Sequence, residues 1–223
     1  MFFNSVEHAE SDIFSVFEKI IDIQGDMYKT EADLTIKSKV NPNSKNNTPI
    51  LQRIIQIKDH KLKHMDLELF RILKLQDVQT KSFMLRWIRC MHTREFDLDN
   101  SFIIWDSIFL ESLESENSRK NRQFEFIDAM CLAMFMYMRS IVFTKETAGE
   151  ILQVYQKYPP LKRGAYLEEL ITLAWTICEE LTLESQNNQN IQQAQQSNWF
   201  EESSKVKALH FMEKKVEKKP VEP

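Results

Sequence analysis

The stretch that decides the fold runs from Phe83 to Phe96 and reads FMLRWIRCMHTREF, and the sequence WDSIF follows it at residues 105–109. Apolar side chains recur in the first stretch at intervals of three and four residues, the pattern of a helix with one apolar face. These residues are Met84, Trp87, Ile88 and Met91. The pattern predicts a helix that packs through Trp87 and directs Arg86 away from the packed face.

Helical periodicity continues along most of the 223 residues, and only three glycines occur. An all-β fold needs more turn residues than this, and no glycine-rich loop is present to bind a phosphate group. The sequence therefore predicts an all-α fold of about seven helices, with 43% hydrophobic residues to form one core.

Polar residues that favour helix starts mark several of these helices. We expect Thr48 to cap a helix that begins at Pro49, and Asp66 to cap the next one. Further starts are expected at Asp97 or Asp99 and at Thr144, and Pro159 with Pro160 should end the helix before them. The remaining apolar patterns predict a first helix that ends near Gly25, a long helix over 124–142 and a last one over 167–181.

The polar composition of several segments predicts the domain organisation. Residues 1–185 should form one helical lobe, interrupted by a flexible loop at 38–48 and a charged loop at 111–122. Residues 186–198 are rich in Asn and Gln and predict a linker. Residues 199–223 combine aromatic residues with lysines, which predicts a basic amphipathic tail helix suited to a partner or a membrane surface, or simply solvated.

The segments RW, REF and WD, in this order, resemble the signature of the TBC domain, the catalytic domain of GTPase-activating proteins for Rab GTPases. They occur here as Arg86-Trp87, Arg94-Glu95-Phe96 and Trp105-Asp106. Other segments, at residues 8–17, 57–70 and 127–160, are similar to the TBC branch associated with the retromer coat. The resemblance implies the multi-helix C-terminal lobe of a Rab-GAP TBC-like domain.

The same resemblance implies how such a domain works and what this sequence lacks. TBC domains supply a catalytic arginine from an I-x-x-D-x-x-R segment and a glutamine from a Y-x-Q segment, both in the N-terminal half. Here Ile103-Ile-Trp-Asp106 is followed by Phe109 where arginine is required, and Tyr155 by Lys157 where glutamine is required. We therefore expect no catalytic residue, and hence a pseudo-GAP that binds a Rab-type GTPase or a trafficking complex. A scaffold subunit of a larger assembly and a truncated part of an active Rab GAP are the alternatives.

Arg86, Arg89 and Arg94 are the candidates for a substitute catalytic arginine. Each lies in a segment patterned for packing, whereas a catalytic arginine must reach into another protein, so ion pairing is the expected role. Asp106 falls on the face that carries Phe102 and Phe109, and a carboxylate on an apolar face is costly unless it is paired. The sequence therefore predicts a buried ion pair between Asp106 and Arg86 or Arg94.

Two other residue pairs invite a chemical role. His60 and His64 are spaced to clasp a metal, but no third ligand is near them in sequence, so we expect no metal site. Cys90 and His92 diverge on a helix, which predicts a core thiol beside a partly exposed imidazole rather than a nucleophile and its base. The sequence offers no cofactor site.

Charge and cysteine content exclude several classes of protein. The net charge of −4 and the absence of a basic stripe argue against nucleic-acid binding. Three isolated cysteines are typical of reduced thiols, and the N-terminal sequence carries no recognisable targeting signal. The longest apolar run is about half the ~20 residues that a membrane span requires. These features predict a cytoplasmic protein, and the resemblance to TBC domains implies peripheral association with endomembranes.

Overall fold

The structure, a computed structural model, describes residues 8–29, 48–116, 125–158 and 166–183. The chain forms two compact units, 1–178 and 179–223, and only residues 179–183 of the second unit are among those described. The described residues form helices and turns without any strand, which confirms the predicted all-α class. The predicted linker, the tail helix, residues 38–47 of the predicted loop and the two prolines lie outside the described residues.

Ten α-helical segments occur in the described residues, more than the seven or so expected, because a π-helical segment divides one predicted helix and a break at Met138 divides another. A 3-10 turn (Gly25–Tyr28) follows the first segment, and a π-helical segment (Gln56–Leu62) joins the second to the third. The segments are α1 (Ala9–Gln24), α2 (Pro49–Ile55), α3 (Lys63–Met65), α4 (Leu67–Leu75), α5 (Lys81–Arg89), α6 (Leu98–Glu116), α7 (Glu125–Tyr137), α8 (Arg139–Val142), α9 (Ala148–Gln156) and α10 (166–183).

The rod formed by α2, the π-helical segment and α3 lies against the core through Ile54 and Ile57, which are fully buried. It begins at Pro49 as predicted, since proline fits the first helical turn, where its missing amide costs nothing. Thr48 has the extended backbone of a cap residue, but its hydroxyl makes no capping hydrogen bond. Asp66 does cap α4, because its carboxylate accepts a hydrogen bond of 2.9 Å from the amide of Leu69.

Three predicted boundaries outside the motif helix are wrong. The expected charged loop at 111–122 is helical up to Glu116, and Glu111 is buried in α6. The expected long helix over 124–142 is broken at Met138 into α7 and α8, and Phe124 lies outside the described residues. The helix expected at Thr144 begins instead at Ala148, because Thr147 and Glu150 form a reciprocal capping box there.

The first helix differs from the others in its surroundings. Five of its apolar residues lie on one side and are exposed, with 39–62% of the surface of each in contact with solvent. They are Ile13, Phe14, Val16, Phe17 and Ile21. Burial begins at the last residue of α1, Gln24, and continues at Met27 in the 3-10 turn that follows. None of the helices in the described ranges is both long enough and apolar enough to cross a membrane.

Candidate functional site

The motif helix α5 directs one face into an aromatic cluster formed with α7 and α9. The Phe83 ring lies 4.8 Å from Trp87 and 5.1 Å from Tyr155, measured between centroids, and Phe135 lies 5.6 Å from Trp87. All four side chains are fully buried. Aromatic pairs at such distances add about 0.5–1.5 kcal/mol each beyond their buried area. The RW motif is therefore part of the packing of three helices.

A tight turn separates α5 from the REF motif. Met91 and His92 both have positive φ angles, 45° and 65°, which reverse the chain directly after Cys90. The Trp105 indole Nε1 donates a hydrogen bond of 3.0 Å to the Met91 carbonyl, so the WD motif on α6 holds this turn in place. Met91 was expected inside the motif helix, but α5 ends at Arg89.

Arg86 and Glu95 form an ion pair across this turn. The Nε of Arg86 donates to Oε1 of Glu95 over 2.5 Å, and its Nη2 donates to the carbonyl of Gln156 at the end of α9 over 3.0 Å. The Glu95 side chain is fully buried, whereas that of Arg86 is about one-third exposed. Burial raises the pKa of Glu95, and Arg86 opposes this shift. The REF motif therefore supplies a buried carboxylate that fixes Arg86.

The predicted burial and pairing of Asp106 is wrong, because this residue is exposed on α6. The buried face of α6 carries Ile104 and Ile108, and Phe102 on the opposite face is 54% exposed. The prediction assigns the packed face of α6 to Phe102 and Phe109, and Asp106 lies on that side of the helix. Arg86 forms its ion pair with Glu95 instead.

A second buried carboxylate, Asp128 on α7, joins the rod to the core. Its two oxygens accept hydrogen bonds from Arg53 Nε at 2.6 Å and from Lys61 Nζ at 2.7 Å. Burial acts to raise the pKa of Asp128, but the two cations hold it below its ordinary value. Lys61 belongs to the π-helical segment, a conformation that often marks a site with a specific task. Here that task is to bring a second cation to a buried acid.

His92 lies beside this ion-pair group and is fully buried, while Cys90 is only half-buried. The expected core thiol and partly exposed imidazole are therefore reversed, because the turn after α5 directs His92 inward. Burial lowers the pKa of His92 to about 4, and Arg53 adds to this effect. The imidazole is neutral at pH 7.

The remaining candidate residues lie apart from one another. Arg89 donates through Nε to the carbonyl of Met27 over 3.2 Å, and Arg94 is exposed. His60 and His64 are exposed on the rod, and the described residues contain no group of three side chains that could hold a metal. Tyr155, in the segment that nearly matches Y-x-Q, is fully buried in the aromatic cluster.

Sequence reasoning missed the group formed by Arg53, Lys61, Asp128 and His92. A signal for it was present, since Asp128 stands within an otherwise apolar run from Phe126 to Phe135. A carboxylate among apolar residues must be paired when it is buried. Asp128 and Glu95 are buried and paired, whereas Asp106 is exposed.

The packed motif helix, the ion-paired turn and the surrounding helices define an all-α domain of the kind found in Rab-GTPase regulators. The family model of the Rab-GTPase-TBC domain matches residues 2–142. The chain therefore belongs to the Rab-GTPase-TBC family.

Several TBC proteins are similar to this chain over part of their length. TBC1 domain family member 5 from Homo sapiens is 26% identical over 148 residues, which is 62% of this chain and 18% of the relative. TBC1 domain family member 5 homolog B from Dictyostelium discoideum is 33% identical over 101 residues, 45% of this chain and 9% of the relative. TBC1 domain family member 13 from Homo sapiens is 25% identical, with 69% of this chain and 33% of the relative covered. The chain thus spans between about a tenth and a third of these relatives.

Proposed function

We propose that this chain is a pseudo-GAP: it binds a Rab-type GTPase or a trafficking complex but does not itself accelerate GTP hydrolysis. The observation that carries the proposal is the position of the motif arginines. Arg86 is held by Glu95 and Gln156, and Arg89 by the carbonyl of Met27. Both arginines serve the internal packing of the lobe.

The chemistry of GTPase activation explains why these positions matter. An arginine placed in trans beside the nucleotide neutralises the charge that develops on the phosphoryl group, an effect worth roughly 10³–10⁵ in rate. Such an arginine must extend from the surface into another protein. Withdrawing Arg86 would leave the buried Glu95 carboxylate without its cation, which is costly. Of the three motif arginines, Arg94 alone is exposed.

Single-turnover GTP hydrolysis tests the proposal. Purified chain added to a panel of GTP-loaded Rabs should leave the rate near its intrinsic value, whatever its affinity for them. A stimulation of about tenfold or more that Arg94→Ala abolishes would contradict the proposal, because tenfold corresponds to about 1.4 kcal/mol of transition-state stabilisation. Arg71→Ala is the control, since Arg71 is likewise an exposed arginine but lies on α4, outside the motif.

A second candidate function is that of a helical scaffold subunit in a larger assembly. The outer face of α6 favours it, because Leu98, Phe102 and Leu110 are each at least half exposed there. Exposed apolar groups of this kind mark interaction sites when they are contiguous. Recovery of a stable multi-subunit complex, lost in Phe102→Ser, together with absent GAP stimulation would favour this function over the pseudo-GAP.

A third candidate is that the chain represents part of an active Rab GAP, and the limited coverage of its relatives favours it. Transcript sequence upstream of Met1 that encodes I-x-x-D-x-x-R and Y-x-Q segments would support this candidate. For all three functions we propose a cytoplasmic location with peripheral association to endomembranes. Imaging of the tagged protein against endosomal markers tests that location.

A further inference from the structure

We propose that the exposed apolar face of α1 pairs with the same face of a second copy of this chain, as an antiparallel helix pair. This face consists of Ile13, Phe14, Val16, Phe17 and Ile21. The proposal does not depend on GTPase binding and goes beyond the proposed function.

The spacing and exposure of this face require a partner. Its residues lie within one side of the helix, so they form a continuous stripe rather than scattered apolar positions. The 3-10 turn directly after α1 anchors that end of the helix, because the Tyr28 hydroxyl donates to the carbonyl of Arg89 over 2.7 Å and Arg89 donates back to Met27. Single exposed apolar side chains need no explanation, whereas a contiguous and anchored stripe indicates a binding surface.

The area of the stripe matches what a dimer requires. Large aromatic side chains bring roughly 150–250 Å² each, so the exposed fractions of these five residues leave about 400–500 Å² of apolar surface. A standard specific interface buries about 800 Å² per partner, of which somewhat more than half is apolar. One α1 face therefore supplies about the apolar share of one side of such an interface.

The sequence of α1 is self-complementary about Phe17. In an antiparallel pair with Phe17 at the twofold axis, Ile13 of one copy faces Ile21 of the other, so apolar residues meet along the stripe. The acidic residues of the first turn, Glu10 and Asp12, then lie at opposite ends of the pair instead of side by side. Antiparallel helix dipoles also attract one another.

The charge of α1 argues against a membrane as the occupant. Residues 9–24 include four acidic residues and one lysine, whereas helices that lie on anionic membranes are rich in Lys and Arg on their polar face. An acidic helix is repelled by such a surface. In the antiparallel pair with a second copy, the acidic first turns of the two helices lie at opposite ends.

Sedimentation equilibrium of the full chain tests the pairing. We expect a concentration-dependent increase to twice the monomer mass, lost in the double variant Phe14→Ser with Phe17→Ser. Leu75→Ser is the control, because Leu75 is an exposed apolar residue on α4 to which no binding role is assigned, and it should leave the dimer intact. Circular dichroism checks that both variants keep the helical fold. A sample that stays monomeric up to about 1 mM overturns the proposal, since even −4 kcal/mol of binding energy would be detected there.

Disulfide crosslinking tests the orientation in a Cys90→Ser background, which removes the one half-buried native thiol. A mixture of Ile13→Cys and Ile21→Cys chains should form the mixed disulfide faster than either chain crosslinks with itself. Preferential self-crosslinking of Ile13→Cys would overturn the antiparallel pairing. Loss of the dimer in Phe102→Ser but not in the α1 variant would overturn the assignment of the interface to α1. Flotation of the protein with phosphatidylcholine–phosphatidylserine vesicles, abolished in the α1 variant, would assign the face to a membrane instead.

Discussion

The aromatic cluster at α5 and the apolar stripe of α1 are similar in sequence but opposite in environment. Both place aromatic and aliphatic residues at helical spacing. Phe83 and Trp87 are fully buried against α7 and α9, whereas Phe14 and Phe17 are more than half exposed. Periodicity thus shows which side of a helix is apolar, and the presence of a partner element decides whether that side is buried. In this lobe the motif helix has its partners, and α1 lacks one within the described residues.

The largest expected change in the free energy of unfolding comes from a substitution in the buried aromatic cluster. Trp87→Ala removes the side chain that contacts Phe83, Phe135 and Tyr155, and we expect a loss of about 3–5 kcal/mol in the free energy of unfolding. Phe17→Ala on α1 is the matched exposed substitution and should change stability by less than about 0.5 kcal/mol at a protein concentration too low for pairing. Urea unfolding measures both. Equal losses would show that α1 is packed in solution.

A second prediction concerns the buried polar group next to the aromatic cluster. Burial lowers the pKa of His92 to about 4 from its ordinary value of 6.5. Between pH 6.5 and 4 the unfolded chain binds a proton that the folded chain does not, so stability falls as the pH falls. The full effect is roughly 3 kcal/mol, reached below pH 4.

Urea unfolding at several pH values between 7 and 4 measures this dependence. His92→Asn should flatten it, because asparagine does not titrate and tolerates the positive φ at this position. Two neighbouring acids contribute differently. The pKa of Glu95 is raised, so protonation of Glu95 stabilises the folded protein as the pH falls. The pKa of Asp128 is lowered, so protonation of Asp128 destabilises the folded protein, and only below the ordinary pKa of 3.8. The difference between wild type and variant isolates His92, and an unchanged slope would contradict the prediction.

The fold class and most helices follow from the sequence because apolar periodicity and capping residues are local signals. The all-α class, the start at Pro49 and the Asp66 cap all have such signals. Which face of α6 is buried could not be read locally, since Phe102 and the pair Ile104 and Ile108 are all apolar but lie on different sides of that helix. The packing of α6 against α7 decides in favour of the isoleucines. The inward position of His92 depends on positive φ angles at Met91 and His92. The sequence does not indicate them, because neither residue is a glycine or an asparagine.

The smallest expected change in the free energy of unfolding comes from Asp106, which the sequence alone does not distinguish from Glu95. Asp106→Ala should change the free energy of unfolding by less than about 0.5 kcal/mol, because Asp106 is exposed. Glu95→Ala removes the buried partner of Arg86, and we expect a loss of about 1–3 kcal/mol. The loss stays below the 3–5 kcal/mol of a fully buried pair, since the one-third exposed Arg86 can turn toward water. Urea unfolding of the two variants at pH 7 measures the difference. Equal losses in the free energy of unfolding would show that Asp106 is buried and that the WD motif, like the REF motif, stabilises the lobe through a buried charge.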